Sequence, residues 1–221
     1  GLSHAYERTT RPMLTLDVSE ALGAHLAALH GAIVVTPDDA PAVAARAMLS
    51  ALARAVPALA GLAAELEVRA NRVSVTVPTP AGTVIVLSPA AVADPLRYAM
   101  TVAHEFQHDQ QIDQGGAVRT SIDYVASPEL RARAEADAYA VGLFVGYLLT
   151  GMLPTLDGAL ASLSSETYHL AADEVALGRG VLESHLTTMA SGLCPPLTIA
   201  VDVLAWLRAT HPELIEAGAF R

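Results

Sequence analysis

The segment from Asp94 to Gly116 constrains the fold most, because its sequence marks both ends of a helix. Asp94 can cap free backbone N–H groups, and Pro95 suits the first helical position, which needs no N–H. Apolar residues then recur at three- and four-residue steps: Leu96, Met100, Ala103 and Phe106. Gly115 and Gly116 provide a stop. We therefore expect a helix from residue 95 to about residue 112.

A β-hairpin is predicted just before this helix. Residues 73–77 and 83–87 are rich in β-branched side chains, and residues 78–82 between them contain two prolines and a glycine. A hairpin packed beside the helix could offer its edge to an extended peptide.

The predicted helix carries the pentapeptide His-Glu-Phe-Gln-His. Residues four apart lie one above the other on a helix, so His104 and His108 would present two imidazoles to one point, as half of a zinc site. Glu105 lies about 100° from His104 and about 60° from His108 around the helix. This spacing predicts a water activated by zinc and deprotonated by Glu105. The alternatives are a solvated helix face and a histidine hydrogen-bonded within a core.

A hydrolytic zinc site needs three protein ligands and one open position, so a third ligand has to be found. Three and six residues after His108 stand Gln111 and Gln114, which do not fit the pattern that supplies the ligand there. A second helix begins at Ser127 and Pro128 and runs towards Gly151. One of its faces combines an acid with small residues: Glu135, Ala138, Tyr139 and Gly142. Small residues would let this helix come close to the first.

The two motifs together resemble a known family. Residues 101–108, Thr-Val-Ala-His-Glu-Phe-Gln-His, follow a predicted strand and precede Glu-Ala-Asp-Ala-Tyr-Ala at residues 135–140. This combination is similar to the gluzincin type of HExxH zinc metallopeptidase, and among these to small ImmA/IrrE-like or minigluzincin forms. The resemblance covers about residues 73–153, and Gln107 departs from the glycine usual in the ImmA/IrrE type. It implies an α+β, mostly α fold with a zincin-like core and the hairpin beside the HExxH helix.

The resemblance also implies roles for individual residues. His104, His108 and Glu135 would bind Zn²⁺, and Glu105 would act as the general base and then pass the proton to the leaving amine. The alternative for Glu135 is an exposed acid that pairs with Arg131 one turn earlier. Asp137 is an alternative third ligand, but it points about 200° away from Glu135 and could instead orient a ligand histidine.

A peptidase of this type also needs a donor for the oxyanion. Tyr139, one turn after Glu135, and His169, on a further predicted helix beside Tyr168, are the candidates. The alternatives are core packing for Tyr139 and a solvated or capping histidine for His169.

Composition limits the partners and the compartment. A net charge of −10 and the lack of basic runs argue against nucleic acid, so a protein or peptide substrate is expected. One cysteine, Cys194, excludes an internal disulfide and favours a cytoplasmic protein; a secreted one stays open because the chain begins with Gly1. Residues 138–156 carry no charge and space Gly142 and Gly146 as GxxxG, but they suit a buried helix better than a membrane span.

We expect a single domain over residues 1–221. It comprises a mostly helical N-terminal part at residues 1–70, the catalytic core at 71–153 and a helical C-terminal part at 154–221. In the C-terminal part, helices are predicted near residues 158–177, 179–190 and 197–209, with breaks at the glycines between them.

The function expected is a zinc-dependent metallopeptidase. Two alternatives are a metal-site regulatory or binding protein that is catalytically silent or restricted to one partner, and a helical interaction domain with an accidental HExxH. A membrane-anchored form using residues 138–156 is a third.

Overall fold

The chain folds into helices around one small sheet, in a computed structural model that describes residues 13–55, 73–165, 167–215 and 220. The strands are β1 (Ile33–Val35), β2 (Val75–Thr79) and β3 (Gly82–Val86). The helices are α1 (Leu16–His30), α2 (Ala40–Ala55), α3 (Pro89–Val92), α4 (Pro95–Gly115), α5 (Ala117–Ala126), α6 (Pro128–Thr150), α7 (Asp157–Leu163), α8 (Ala172–Ala190) and α9 (Thr198–Thr210). The α+β, mostly α expectation is confirmed. Of the predicted N-terminal part, residues 1–12 and 56–70 lie outside the described residues.

The sheet places β2 at one edge, in the order β1-β3-β2. β1 pairs with β3 in parallel, and β2 pairs with β3 antiparallel. The predicted hairpin is confirmed, but its turn is shorter than expected, because only residues 80 and 81 lie between the two strands. Since β2 contacts α4 as well as β3, this edge strand of the described sheet lies beside the HExxH helix.

Both faces of the sheet are covered. Successive side chains on a strand point to opposite faces. Val84 and Val86 therefore pack with Val77 on Ala42 and Ala45 of α2. Between them along the strand, Ile85 points the other way, into the main core.

The main core lies among the helices, where α4 and α6 form the most extensive packing of the described element pairs. Its largest fully buried side chains include Phe106, Phe144, Leu22, Leu26, Leu163, Leu182, Met189, Ile199 and Leu207. Each such side chain stabilises the fold by about 1.5–3 kcal/mol relative to an exposed one. This core fixes α4 and α6 side by side.

Glycines on α6 allow this close approach. A Cβ on Gly142 would lie 3.1 Å from the backbone oxygen of Met100 on α4, and one on Gly146 would lie 3.1 Å from the sulfur of the same residue. The GxxxG spacing therefore packs against α4. Among the described helices, none is both long enough and apolar enough to cross a membrane.

Several helices differ from the sequence-based expectation in their bounds, and one was not expected. α4 continues to Gly115, and after it the chain forms α5, which was not predicted. In the C-terminal part the predicted helix over residues 158–177 is wrong: α7 ends at Leu163, and α8 runs from Ala172 to Ala190 straight through Gly178. Gly178 is buried in α8, where a Cβ would meet Leu163 at 3.1 Å. It is a site of close packing and not a helix end.

Candidate metal centre

The two histidines of α4 point to one place between α4 and α6. α4 begins as expected, since the Asp94 side chain accepts a hydrogen bond from the Arg97 N–H and Pro95 occupies the first turn. His104 and His108 are one turn apart, and their ring centroids are 4.9 Å from each other. Both side chains are mostly buried, at 12% and 14% exposed.

Glu135 on α6 faces both imidazoles. Its side chain is 3% exposed, its Oε1 lies 3.4 Å from His108 Nε2, and its Oε2 lies 3.7 Å from His104 Nε2. α6 starts at its predicted cap, where Ser127 accepts from the Leu130 N–H. Close packing of α6 on α4 then brings the carboxylate up to the histidines.

The three side chains fit a divalent metal ion. Their ligand atoms all lie within 4.8 Å of one another. A tetrahedral zinc with bonds near 2.1 Å would require ligand atoms about 3.4 Å apart. Each oxygen of Glu135 lies at about this distance from one imidazole, Oε1 at 3.4 Å from His108 Nε2 and Oε2 at 3.7 Å from His104 Nε2. In addition, Glu135 Oε2 is buried and has no hydrogen-bond partner among the described residues. A buried carboxylate oxygen without a hydrogen-bond partner is a favourable ligand for a cation. The cluster is a candidate metal site.

Hydrogen bonds orient the imidazoles for this task. His108 Nδ1 donates to Gln111 Oε1 at 3.0 Å, and Gln111 Nε2 donates to the backbone oxygen of Ala134 on α6 at 3.1 Å. His104 bonds to the backbone of Ala138. In the neutral form of His108 that could bind a metal, Nδ1 carries the proton and the lone pair is on Nε2, the nitrogen that faces Glu135. Gln111 is not a member of the cluster, as expected, but it positions His108, one of the candidate ligands.

Glu105 is buried next to the cluster and fixed by the sheet. Its side chain is 4% exposed, and Thr76 Oγ1 on the edge strand β2 lies 2.8 Å from its Oε2 and 2.9 Å from its backbone oxygen. Burial raises the pKa of Glu105 to about 7, against the lowering effects of His108 and Thr76. Glu105 therefore sits where its pKa is close to neutral.

Without a metal the three cluster residues form a buried ion pair beside a neutral histidine. Burial raises the pKa of Glu135, but His108 and His104 outweigh it and lower the value to about 2. Burial lowers the pKa of His108, and Glu135 reverses this and raises it to about 9. Burial and then the charge on His108 lower the pKa of His104 to about 4. Metal binding would have to displace the proton from His108.

Three tyrosines surround the carboxylate of Glu135. Tyr124 on α5 donates its hydroxyl to Glu135 Oε1 at 2.5 Å. The ring of Tyr139 packs edge-on against that of His104, with centroids 4.7 Å apart, and its hydroxyl lies 3.0 Å from the hydroxyl of Tyr168. Burial first, and then the charge of Glu135, raises the pKa of all three hydroxyls. All three are therefore neutral hydrogen-bond donors at neutral pH.

Three acidic and basic residues considered from the sequence lie elsewhere. Asp137 accepts a hydrogen bond from His185 Nε2 at 2.9 Å, so the expectation that it orients a ligand histidine is not met by its described contacts. Arg131 does not pair with Glu135; it donates to the backbone oxygens of Tyr168 and Tyr124. His169 is exposed in a turn rather than on a helix, beside Tyr168, and is not part of the cluster.

Sequence inspection missed Thr76 and Tyr124. Thr76 gave no signal beyond β-propensity, because its contact to Glu105 depends on how the hairpin lies on α4. Tyr124 lay in a stretch with no predicted structure between two helix signals, and only the formation of α5 brings it to Glu135. An isolated tyrosine between a glycine stop and a Ser-Pro start is the one feature that could have drawn attention to it.

Comparison with known proteins gives no relative. No protein-family model matches the chain, no curated protein is similar to it, and no solved structure matches its fold. Function is therefore inferred from the geometry of the site.

Proposed function

We propose that this chain is a zinc-dependent metallopeptidase with a zincin-like core. The observation that carries the proposal is the meeting of His104, His108 and the unpartnered oxygen of Glu135 beside a second buried carboxylate, Glu105. Three protein ligands leave a fourth position for water, which is the arrangement of catalytic zinc sites.

We favour zinc over iron because Glu105 lies next to the candidate ligand His104. Two histidines and a carboxylate also suit Fe²⁺. Hydrolysis, however, needs a base next to the metal, and Glu105 follows His104 directly in the chain. A zinc ion held here would polarise the scissile carbonyl and lower the pKa of a water molecule.

In this mechanism Glu105 moves the proton. Its carboxylate would accept a proton from the attacking water and pass it to the leaving nitrogen. The Thr76 hydroxyl donates a hydrogen bond to one oxygen of Glu105 and so fixes the carboxylate against β2. Tyr139 and Tyr168, whose hydroxyls lie 3.0 Å apart beside His104, are the donors proposed for the oxyanion. His169 is not proposed for this role, because it lies exposed in the turn beyond Tyr168.

The substrate proposed is a protein or peptide in extended form. β2 is an edge strand, and it carries Thr76, which bonds to Glu105. An extended peptide could add to the outer edge of β2 by backbone hydrogen bonds and bring a peptide bond to Glu105. The retained alternatives are a metal-site regulatory protein without catalysis and a helical interaction domain with an accidental motif.

Metal content and hydrolysis of a quenched peptide library by matched variants test the proposal. We expect about one zinc per chain in the wild type. Glu105→Gln should keep the zinc and lose activity by at least about 100-fold, the usual contribution of a general base. Glu135→Ala should lose the zinc. Asp137→Ala, on the same helix, should keep it because Asp137 contacts His185.

Each outcome separates one hypothesis from another. Zinc retained with no hydrolysis in the wild type would support the regulatory alternative. No metal in the wild type even after zinc is supplied would support the accidental motif. Iron in place of zinc would overturn the peptidase proposal.

A further inference from the structure

The two oxygens of Glu135 are in different environments. Oε1 accepts the hydroxyl of Tyr124 at 2.5 Å and lies 3.4 Å from His108 Nε2. Oε2 lies 3.7 Å from His104 Nε2 and is buried with no hydrogen-bond partner among the described residues. Tyr139 and Tyr168 do not share this contact, since their hydroxyls bond to each other. Tyr124 thus donates a hydrogen bond to one oxygen of the carboxylate and leaves the other oxygen without one.

Tyr124 is held in this place by α6 itself. Arg131 lies one turn before Glu135, and its Nη1 donates to the backbone oxygens of Tyr124 at 2.7 Å and Val125 at 3.3 Å. These carbonyls belong to the last turn of α5, where the helix offers no partner of its own. The Arg131 guanidinium also lies 5.8 Å from the centre of the Tyr124 ring. α6 therefore carries both the Glu135 carboxylate and Arg131, which holds Tyr124 in position to bond to that carboxylate.

The number of oxygens that Glu135 gives to the metal decides whether a position stays open. A carboxylate can bind through one oxygen or through both. With His104 and His108, one oxygen gives three ligands and an open fourth position, while two oxygens would take that position as well. A strong hydrogen bond to Oε1 competes with its use as a ligand.

We propose that Tyr124 is a positioning residue that restricts Glu135 to binding the metal through Oε2 alone, and so keeps the fourth position open for water. This inference rests on the proposed function, because it assigns Tyr124 a task at the same metal. It does not require Tyr124 to touch the substrate or the reacting water.

Cobalt substitution of Tyr124→Phe tests the inference independently of activity. Phenylalanine keeps the ring that packs near His108 and Arg131 and removes only the hydroxyl. Because the freed Oε1 becomes available as a further ligand while the carboxylate loses its fixed orientation, we expect zinc affinity to change, within the range of about 10- to 100-fold for residues that orient a metal ligand. The visible absorption of the Co²⁺-loaded protein should weaken as the coordination number rises. Tyr147→Phe, on α6 and packed on Phe220, should match the wild type in both.

The failures of the two proposals can be told apart. If the wild type binds Zn²⁺ and Co²⁺ while Tyr124→Phe shows the same affinity and spectrum, the role of Tyr124 is refuted and the metal site stands. If the wild type binds neither ion, both proposals fall. Should Tyr124→Phe not fold, Arg131→Gln decides, since it keeps the hydroxyl but releases the last turn of α5; unchanged affinity and spectrum there would also refute the role.

Discussion

Gln111 shows how one side chain can join a ligand to the opposite helix. Its oxygen accepts from His108 Nδ1 on α4, and its nitrogen donates to the Ala134 carbonyl on α6. From the sequence, Gln111 could be excluded as a ligand by its chemistry. Its actual role could not be predicted, because that role depends on α6 lying within hydrogen-bond distance.

Replacing Gln111 with Leu should weaken zinc binding by about 10- to 100-fold, because the tautomer and the orientation of His108 are no longer fixed. Competition titration with a chelating dye measures the change. Gln114→Leu is the matched control on the same helix, since Gln114 is exposed and bonds to Gln110. Equal affinities of both variants would contradict the positioning of His108 by Gln111.

Cys194 is expected to be unreactive in the folded protein. Burial raises the pKa of its thiol to about 11 from an ordinary value near 9. Because the thiolate is the reactive form, its fraction at pH 8, well below both values, should be roughly 100-fold lower than for an exposed cysteine. Reaction with an aromatic disulfide reagent should be slow at pH 8 and fast in denaturant. A native rate equal to the denatured rate would contradict this expectation.

At the scale of elements, the packed pair α4 and α6 determines the site. The structural role of a glycine is harder to predict from sequence patterns than a helix cap or a strand. The caps of both helices and the hairpin were predicted, because Asp94-Pro95, Ser127-Pro128 and β-branched runs are local signals. Gly178 was wrongly predicted to end a helix. In the sequence, a glycine that ends a helix cannot be distinguished from one that lets a neighbouring helix pack closely, as Gly178 does. Only the packing partner distinguishes them.

Two identical substitutions should therefore change stability in opposite directions. Gly142→Ala places a methyl group 3.1 Å from the Met100 backbone oxygen, and we expect a net loss of about 1 kcal/mol because overpacking exceeds the gain in helix propensity. Gly180→Ala has nothing within 4 Å and should gain about 0.5–1 kcal/mol. Urea unfolding measures both free energies, and a gain in stability for Gly142→Ala would contradict the close approach of α6 to α4.

For the whole molecule, the site joins segments that are distant in the chain. β2 supplies Thr76, α4 supplies the histidines and Glu105, and α6 supplies Glu135. The sequence predicted the three members of the candidate metal cluster on α4 and α6, because helical spacing and the family resemblance both applied there. It placed the hairpin beside α4 but could not identify Thr76 as the contact to Glu105, and it did not predict α5.

Zinc should stabilise the whole protein if it binds only the folded state. At a free concentration 100 times the dissociation constant, the gain is about 2.7 kcal/mol, which for a chain of this size corresponds to a rise in Tm of about 5–10 °C. Differential scanning calorimetry with zinc and with a chelator measures the shift. Glu135→Ala should show none, and an equal shift in that variant would indicate binding away from the cluster.

The parallel pairing of β1 with β3 also bears on how the chain folds. Ile33 pairs with Val84 and Val35 with Val86, so these contacts close a long stretch of chain before they contribute any stability. The packing of α4 on α6 closes a shorter stretch, since His104 and Glu135 are 31 residues apart whereas Ile33 and Val84 are 51 apart. Since contacts between distant segments slow folding, we expect the histidines and Glu135 to meet early. Thr76 and Glu105 are 29 residues apart and are expected to meet at about the same stage, so that only the pairing of β1 with β3 would be acquired late.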